Sequence, residues 1–431
     1  MDKSTKMPFR QITLEYLTRL LLVATVAFYG VQIAFFIFQG QICDDFGFDY
    51  CAYWSIGKIM RTNGFSNAYN MDVITKLQET IYPQAKNPSL NFTPPFAPYI
   101  PIFMMPFYGL SFLNLTTSYI LWIIINLISF ILYMKFFIKE INPNFIKSDQ
   151  FLIILLALPV FINFQEGQLN VLLAISAGEF IRGITSNKPF RAGLWLGGWL
   201  LKPQLLILIL PFLIIQQLCK ALKGFLLASF LLGGLSLLVI GSNGVQDMAK
   251  IFFDLGSGGL GSNPYVMMNW RMVDTHIASF TSPTVGFIVT VIGTLITLFI
   301  VIFAFRNRIN PSSNHFIISL LAIFAATCAV TWHAHLHMSI ILIPPILYLI
   351  LKENFNKRLL TAWIFMPVLV LFGGYLVIIL VSLSKTPIPI NQIIFFSKGF
   401  SIFSLNLLLI VWAKNQFSQT NDQSPSILSS V

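Results

Sequence analysis

The sequence predicts an all-α integral membrane protein with about ten to twelve membrane segments. Three observations lead there. The chain is 56% hydrophobic and 10% charged, with 42 Phe in 431 residues. Soluble domains carry roughly 25% charged residues, so no soluble core absorbs this much apolar surface. The apolar runs are long enough for spanning helices. The basic residues sit in short clusters between those runs, the pattern that orients membrane proteins. That pattern, rather than a nucleic-acid partner, accounts for the net charge of +11.

Lys3, Lys6 and Arg10 precede the first apolar run and place the N-terminus in the cytoplasm. Leu20 to Gln39 carries no charge and is about one bilayer long. A cleaved signal peptide is the alternative, but no small-residue cleavage site stands out. The polar loop 40–92 is then extracytoplasmic. Within it, Val73 to Tyr82 has the spaced apolar residues of an interfacial helix. Thr93 to Gly109 contains Pro94, Pro95, Pro98, Pro101 and Pro106. That density disfavours a regular helix and suits a broken segment packed on protein.

Tyr119 to Met134 is a clean span ending at Lys135, Lys139 and Lys147 on the cytoplasmic side. Phe151 to Phe164 runs outward to Glu166, and Val171 to Ile184 returns towards Arg182, Lys188 and Arg191. Leu194 to Gln216 is interrupted at Lys202-Pro203 and reads as two half-helices or one broken helix. After Lys220 and Lys223, Phe225 to Ile240 leads to a second outer loop, 241–280. Thr284 to Phe305 ends at Arg306 and Arg308. Phe316 to Val330 leads to three histidines, and Ile340 to Leu351 ends at Lys352, Lys357 and Arg358. Leu360 to Val381 and Ile393 to Val411 complete the membrane domain, 1–413. The polar tail, 414–431, is expected to be cytoplasmic and disordered.

All the unusual polar runs fall on one side of this topology. The foremost is Asp49, in Asp49-Tyr50-Cys51-Ala52-Tyr53-Trp54. Only 16 residues are acidic. An acid among aromatic rings at a membrane surface is a candidate general base. Asp44 and Asp45 compete with it but lack the flanking Tyr53-Trp54. Cys43 and Cys51 share the loop and can pair if it faces an oxidising compartment. Cys219 and Cys328 have no metal-ligand company.

No Walker loop, dinucleotide fingerprint, HExxH or CxxC is present, which removes the usual nucleotide and zinc chemistries. His333, His335 and His337 would put only two rings on one helix face, without a neighbouring carboxylate. Glu166 reads either as helix-end polarity or as part of a polar motif with Gln168 and Asn170. Lys202, mid-way along an apolar run, either snorkels to the interface or serves a function. Arg271 is a loop cation suited to clamping a phosphate, or simply solvated.

These runs together resemble the polyprenyl-phosphate-sugar-dependent membrane transferases of glycosyltransferase family 87, of GT-C type. Asp49-Tyr50 with Tyr53-Trp54, then Gly64 and Tyr69, look like the acid-aromatic run after the first span. Asn91-Phe92-Thr93-Pro94-Pro95 with Pro106 looks like the Pro-Pro segment. Gly167-Gln168 with Asn170, Lys202-Pro203, Asn269-Trp270-Arg271 and His337 look like later motifs. The likeness covers about Asp49 to His337. It departs where an acid often follows the late histidine; here Met338 stands.

The resemblance implies a GT-C bundle moving a sugar, mannose or a pentofuranose, from a polyprenyl phosphate. The acceptor would be a glycolipid or cell-envelope glycan on the outer face. Asp49 would be the base. Lys202, Arg271 and His337 would bind the donor phosphate, and Tyr53, Trp54, Gln168 and Asn170 the sugar or acceptor. No cofactor, divalent metal or nucleic acid is implied, membrane lipid surrounds the chain, and oligomeric state stays open. Two rival classes share the hydropathy: a secondary transporter, which should show repeated halves, and a non-catalytic lipid-linked glycan flippase.

Overall fold

The computed structural model describes residues 9–44, 46–86, 95–143, 149–256, 264–384 and 390–421. Asp45, Lys3, Lys6, Lys147, the Asn91 to Pro94 part of the Pro-Pro segment and the last ten residues of the tail lie outside them.

The described residues are helical, with no strand. Helix α1 (Phe9–Gln39) is the first span. A turn leads to α2 (Phe48–Thr62) and α3 (Met71–Ile81), the latter capped by Asn70, which accepts from Val73 N at 3.2 Å. Residues 95–100 are irregular, and α4 (Pro101–Leu110) begins at Pro101, which has no N–H to lose. Next come α5 (Leu115–Ile141), the short α6 (Leu158–Gln165) and α7 (Asn170–Thr185). The 194–216 run is broken: α8 (Pro189–Leu196) passes through 3₁₀ turns to α9 (Leu206–Ile215), with Lys202 extended at the break. Pro203 dictates that, because the residue before a proline is pushed out of the helical region.

Helix α10 (Cys219–Gly256) is interrupted at Gly241, whose φ is 69°. Much of the expected second outer loop is therefore helix, continued by α11 (Trp270–Phe280). Then follow α12 (Pro283–Phe305), α13 (Asn314–Val330), α14 (Ile343–Leu351), α15 (Lys357–Ser384) and α16 (Ile390–Asn421). The tail expected to be disordered from 414 continues α16 to Asn421. Phe417 anchors it, with ring contacts to Phe305 at 5.0 Å and His315 at 5.2 Å.

Six described helices are long and apolar enough to cross a membrane: Tyr16–Phe38, Leu115–Ile141, Cys219–Gly256, Pro283–Phe305, Lys357–Leu380 and Phe396–Phe417. Pro101–Leu110, Pro203–Ile215, Asn314–Val330 and Leu336–Leu351 are apolar but shorter. The expected ten to twelve segments are thus not reached by length. Proline and turn residues divide the runs 95–110 and 149–216 into pieces too short to span.

The long helices point bulky apolar residues outward: Phe230, Leu238, Phe253 and Phe299 are each more than two-thirds exposed. That surface suits lipid, not water. The opposite extreme is α13, where Phe316 to Ala329 are all buried. With α7 and the 336–351 segment it forms the centre of the bundle. Small residues let α8 and α10 approach: a Cβ on Gly193 would meet the Ala221 carbonyl, and one on Gly224 the Phe190 carbonyl.

Candidate active site

The site is built where the start of α2 meets the turn between α6 and α7. Gly47 (φ 69°) turns the chain into α2, and Cys43 bonds Cys51 with a Cα–Cα distance of 5.7 Å. The pairing that the sequence left open is present and ties the loop to the first turn of the helix. The facing turn is docked backbone to backbone. Gly47 N donates to Gln165 O at 2.7 Å, and Tyr50 N to Glu166 O at 3.0 Å. Tyr119 Oη donates to Gln165 O at 2.8 Å, and Trp122 Nε1 to Gly167 O at 2.8 Å. Gly167 (φ 67°) is obligatory there, since a Cβ would be driven against Tyr50 and Tyr119.

This docking brings four of the expected residues into one chain of hydrogen bonds. Gln168 Nε2 donates to Asp49 Oδ2. Lys202 Nζ donates to Gln168 Oε1 at 3.1 Å and lies 3.3 Å from His337 Nε2. An ammonium only donates, so His337 Nε2 accepts and its proton sits on Nδ1. Gln168, Lys202 and His337 are buried and Asp49 is partly buried. The ring of Tyr99 covers Lys202 at 5.8 Å. Lys202 therefore does not snorkel; the break at Pro203 turns it inward.

Burial dominates the electrostatics. It raises the Asp49 carboxyl above its ordinary range, while Lys202 and the Gln168 amide pull it down. Burial lowers the Lys202 ammonium to about 8, against the attraction of Asp49. Glu166 is a residue that sequence reasoning left unassigned. Burial and then the charge of Asp49 push it up to about 8, with Lys398 opposing. Lys398, on α16, was also missed. Its signal was present: a lone cation inside an apolar run.

Arg271 lies next to the histidine run. Its guanidinium stacks on Trp332 at 4.2 Å. Asn269 Nδ2 donates to Thr331 O at 2.6 Å and Met268 N to Ala334 O at 2.9 Å, which fixes this loop against 331–335. Burial lowers His333 to about 4, aided by the charges of Lys202 and Arg271, and burial, followed by the charges of His333, Lys202 and Arg271, depresses His335. Both cations thus lie close enough to act on the histidine run. Below Arg271 is a cavity of about 250 Å³, lined mainly by Trp270, Phe287, Val291, Leu295, Val330 and Trp332.

Tyr53 and Trp54 lie in the core of α2 rather than on an open face. Tyr53 packs on Tyr99 and Phe107, and Trp54 carries Lys58 over its ring at 4.8 Å. Asn170 is fully buried, and both its amide atoms lack a hydrogen-bond partner among the described residues, as do those of Asn163. Asp44 is exposed and bonds Gln84. The described residues include no group of three or more His, Cys, Asp or Glu disposed to hold a metal ion.

The sequence profile of glycosyltransferase family 87 matches residues 96–331, more than half of the chain. The protein belongs to glycosyltransferase family 87. It is a membrane glycosyltransferase, and the matched region contains Gln168, Asn170, Lys202 and Arg271. No curated protein and no solved structure matches it. Asp49 and His337 lie outside the family match, and the hydrogen-bond chain joins them to residues within it.

Proposed function

We propose that this family 87 transferase moves a sugar, mannose in the first instance, from a polyprenyl phosphate to a glycolipid or envelope glycan, with Asp49 as general base. The observation that carries the reading is the Asp49–Gln168–Lys202–His337 chain. Glycosyl transfer needs a base for the acceptor hydroxyl and cations for the departing phosphate. Here an acid and a cation lie on either side of one amide. A buried Lys in an apolar bundle is expensive unless a function keeps it.

Asp49 takes the acceptor proton as the acceptor oxygen attacks the anomeric carbon. The bond from that carbon to the phosphate oxygen breaks, and its electron pair leaves with the lipid phosphate. Lys202, Arg271 and His337 meet the phosphate charge, so the reading needs no divalent metal. The apolar cavity below Arg271 is of a kind to take the first units of a prenyl chain. The unspent amide groups of Asn170 suit sugar hydroxyls. The charge pattern supports an extracytoplasmic position for this end of the molecule.

The test is transfer by purified protein from a panel of polyprenyl-phosphate sugars to glycolipid acceptors. Asp49→Asn keeps the volume but cannot accept the proton. Turnover should fall by about 10²- to 10⁴-fold, the usual worth of a general base. Near-normal turnover by a folded Asn variant would remove Asp49 from the role.

A further inference from the structure

Count the donors on Lys202. An ammonium has three N–H groups and no acceptor. Among the described residues, one goes to Gln168 Oε1 and one to His337 Nε2. One is left. The ring of Tyr99 covers another side of the nitrogen without accepting a conventional hydrogen bond. Gln168 is equally constrained. Asp49 accepts from its Nε2, and Lys202 donates to its Oε1, so the amide cannot be flipped without breaking both contacts. No N–H of Lys202 is bonded to Asp49 directly; Gln168 stands between them.

We propose that Gln168 is a positioning residue in a charge hand-over: it holds Asp49 and Lys202 at one amide's length, so that Asp49's loss of charge frees Lys202 for the leaving phosphate. Before transfer, Lys202 is the counter-ion of Asp49. As the acceptor proton moves to Asp49, that carboxyl becomes neutral. In the same step negative charge grows on the phosphate oxygen as it leaves the anomeric carbon. The cation that loses one partner gains the other, and the buried site never holds an uncompensated charge, which would be costly. A direct Asp49–Lys202 ion pair would serve worse. It would spend the remaining N–H on the carboxylate and hold the ammonium away from the phosphate. The inference rests on Asp49 being the base, but its central test does not use turnover.

The test is the affinity of the full-length protein for farnesyl phosphate, a sugar-free mimic of the leaving group. Asp49→Asn imitates the protonated acid and should tighten farnesyl phosphate binding about tenfold, because a competing anion is gone. Gln168→Glu sets a second anion beside Lys202 and should weaken it by about the same factor. Damage to folding cannot produce the first result, and unchanged thermal unfolding guards the second. Unchanged or weaker binding by the Asp49→Asn variant overturns the hand-over. Gln168→Met keeps the volume and removes both bonds. With farnesyl-phosphate mannose, it should lower kcat about tenfold or more while KM moves less than about threefold, as for lost alignment. Equal losses in kcat and 1/KM would overturn the positioning role. If Asp49→Asn tightens phosphate binding yet keeps full turnover, the base assignment falls and the hand-over with it, leaving only a static competition between Asp49 and phosphate for Lys202. If it loses turnover without tightening, the base stands and the coupling falls.

Discussion

Burial works in opposite directions on the acid and the base nearest the bridge. Lys202 is lowered to about 8, so its charge is present below that pH and lost above it. A clamp for an anion needs the charge. Transfer should therefore decline as pH rises through about 8. Lys202→Arg keeps its charge at any working pH. It should remove that alkaline decline, at a lower maximal rate because a guanidinium does not fit an ammonium's place. The measurement is kcat/KM against pH; an unchanged alkaline limb in the Arg variant would assign the limb to another group. Glu166 carries a stability prediction. Its folded value, about 8, lies above its ordinary 4.5. The folded state holds the extra proton between these values, so its contribution is full below 4.5 and is lost as pH rises to about 8. Glu166→Gln cannot ionise. Its thermal midpoint should match the wild type in acid and exceed it above pH 8. A midpoint difference that does not vary with pH would show that Glu166 is not titrating in this window. Asp49 and Lys202 were legible in the sequence because charge is so scarce there. Glu166 and Lys398 needed the third dimension: 232 positions separate 166 from 398, and only the packing of α16 brings the two charges together.

At the scale of elements, the turn 165–168 is the site's mounting. Four hydrogen bonds fix it, and Gly167 makes the approach to Tyr50 possible. Gly167→Ala adds a Cβ at a positive φ, a strain of about 1–3 kcal/mol, and pushes the turn off α2. A displacement of about 1 Å can cost 10²-fold in rate. Turnover should fall by about that factor while the unfolding midpoint falls only by a few degrees; intact turnover would show that the docking does not set the geometry. The α8–α10 contact is the opposite case, remote from the chemistry. Gly224→Leu should cost about 1–3 kcal/mol by overpacking. Its specific activity, per folded molecule, should be unchanged. Element positions were largely readable, because capping residues and apolar runs are local signals. Asn70, Asn114, Ser282 and Ser313 each cap the helix that follows. The spans between 149 and 216 were not, since their lengths depend on turns that only close packing stabilises. Nor was the helical tail, held by Phe417 on α12 and α13.

For the whole molecule, the decisive feature is the separation of two kinds of charge. Helix α7 begins at Asn170, beside the site, and ends near Arg182. At about 1.5 Å per residue, those ends lie about 18 Å apart. The far end holds a different network: Glu179 is buried and paired with Arg182 at 2.5 Å and Arg191 at 2.9 Å, and Arg182 also meets Glu140 at 2.8 Å. Asn142 and Leu351 meet there too, beside Lys352. The basic clusters at Lys135 and Lys139, Lys220 and Lys223, Arg306 and Arg308, and Lys352 to Arg358 lie at the ends of α5, α12 and α14 and at the starts of α10 and α15. By the positive-inside tendency, that end is expected in the cytoplasm and Asp49 outside. The wild-type protein carries its own probe for this. Cys43 and Cys51 are bonded to each other and Cys328 is buried, which leaves Cys219 exposed, next to Lys220. A membrane-impermeant maleimide should leave it unlabelled in intact cells and label it in inverted vesicles. The complement is a Ser66→Cys variant in which Cys219 is replaced by Ser. Ser66 is exposed and follows α2, within the loop 40–92 that the sequence predicts to lie outside the cytoplasm. That variant should react in intact cells and be protected in inverted vesicles. Labelling of both probes from one side would contradict the separation of charges across the bilayer. Labelling of each from the side opposite to that expected would keep the separation and invert the molecule, placing Asp49 and its hydrogen-bond chain on the cytoplasmic face.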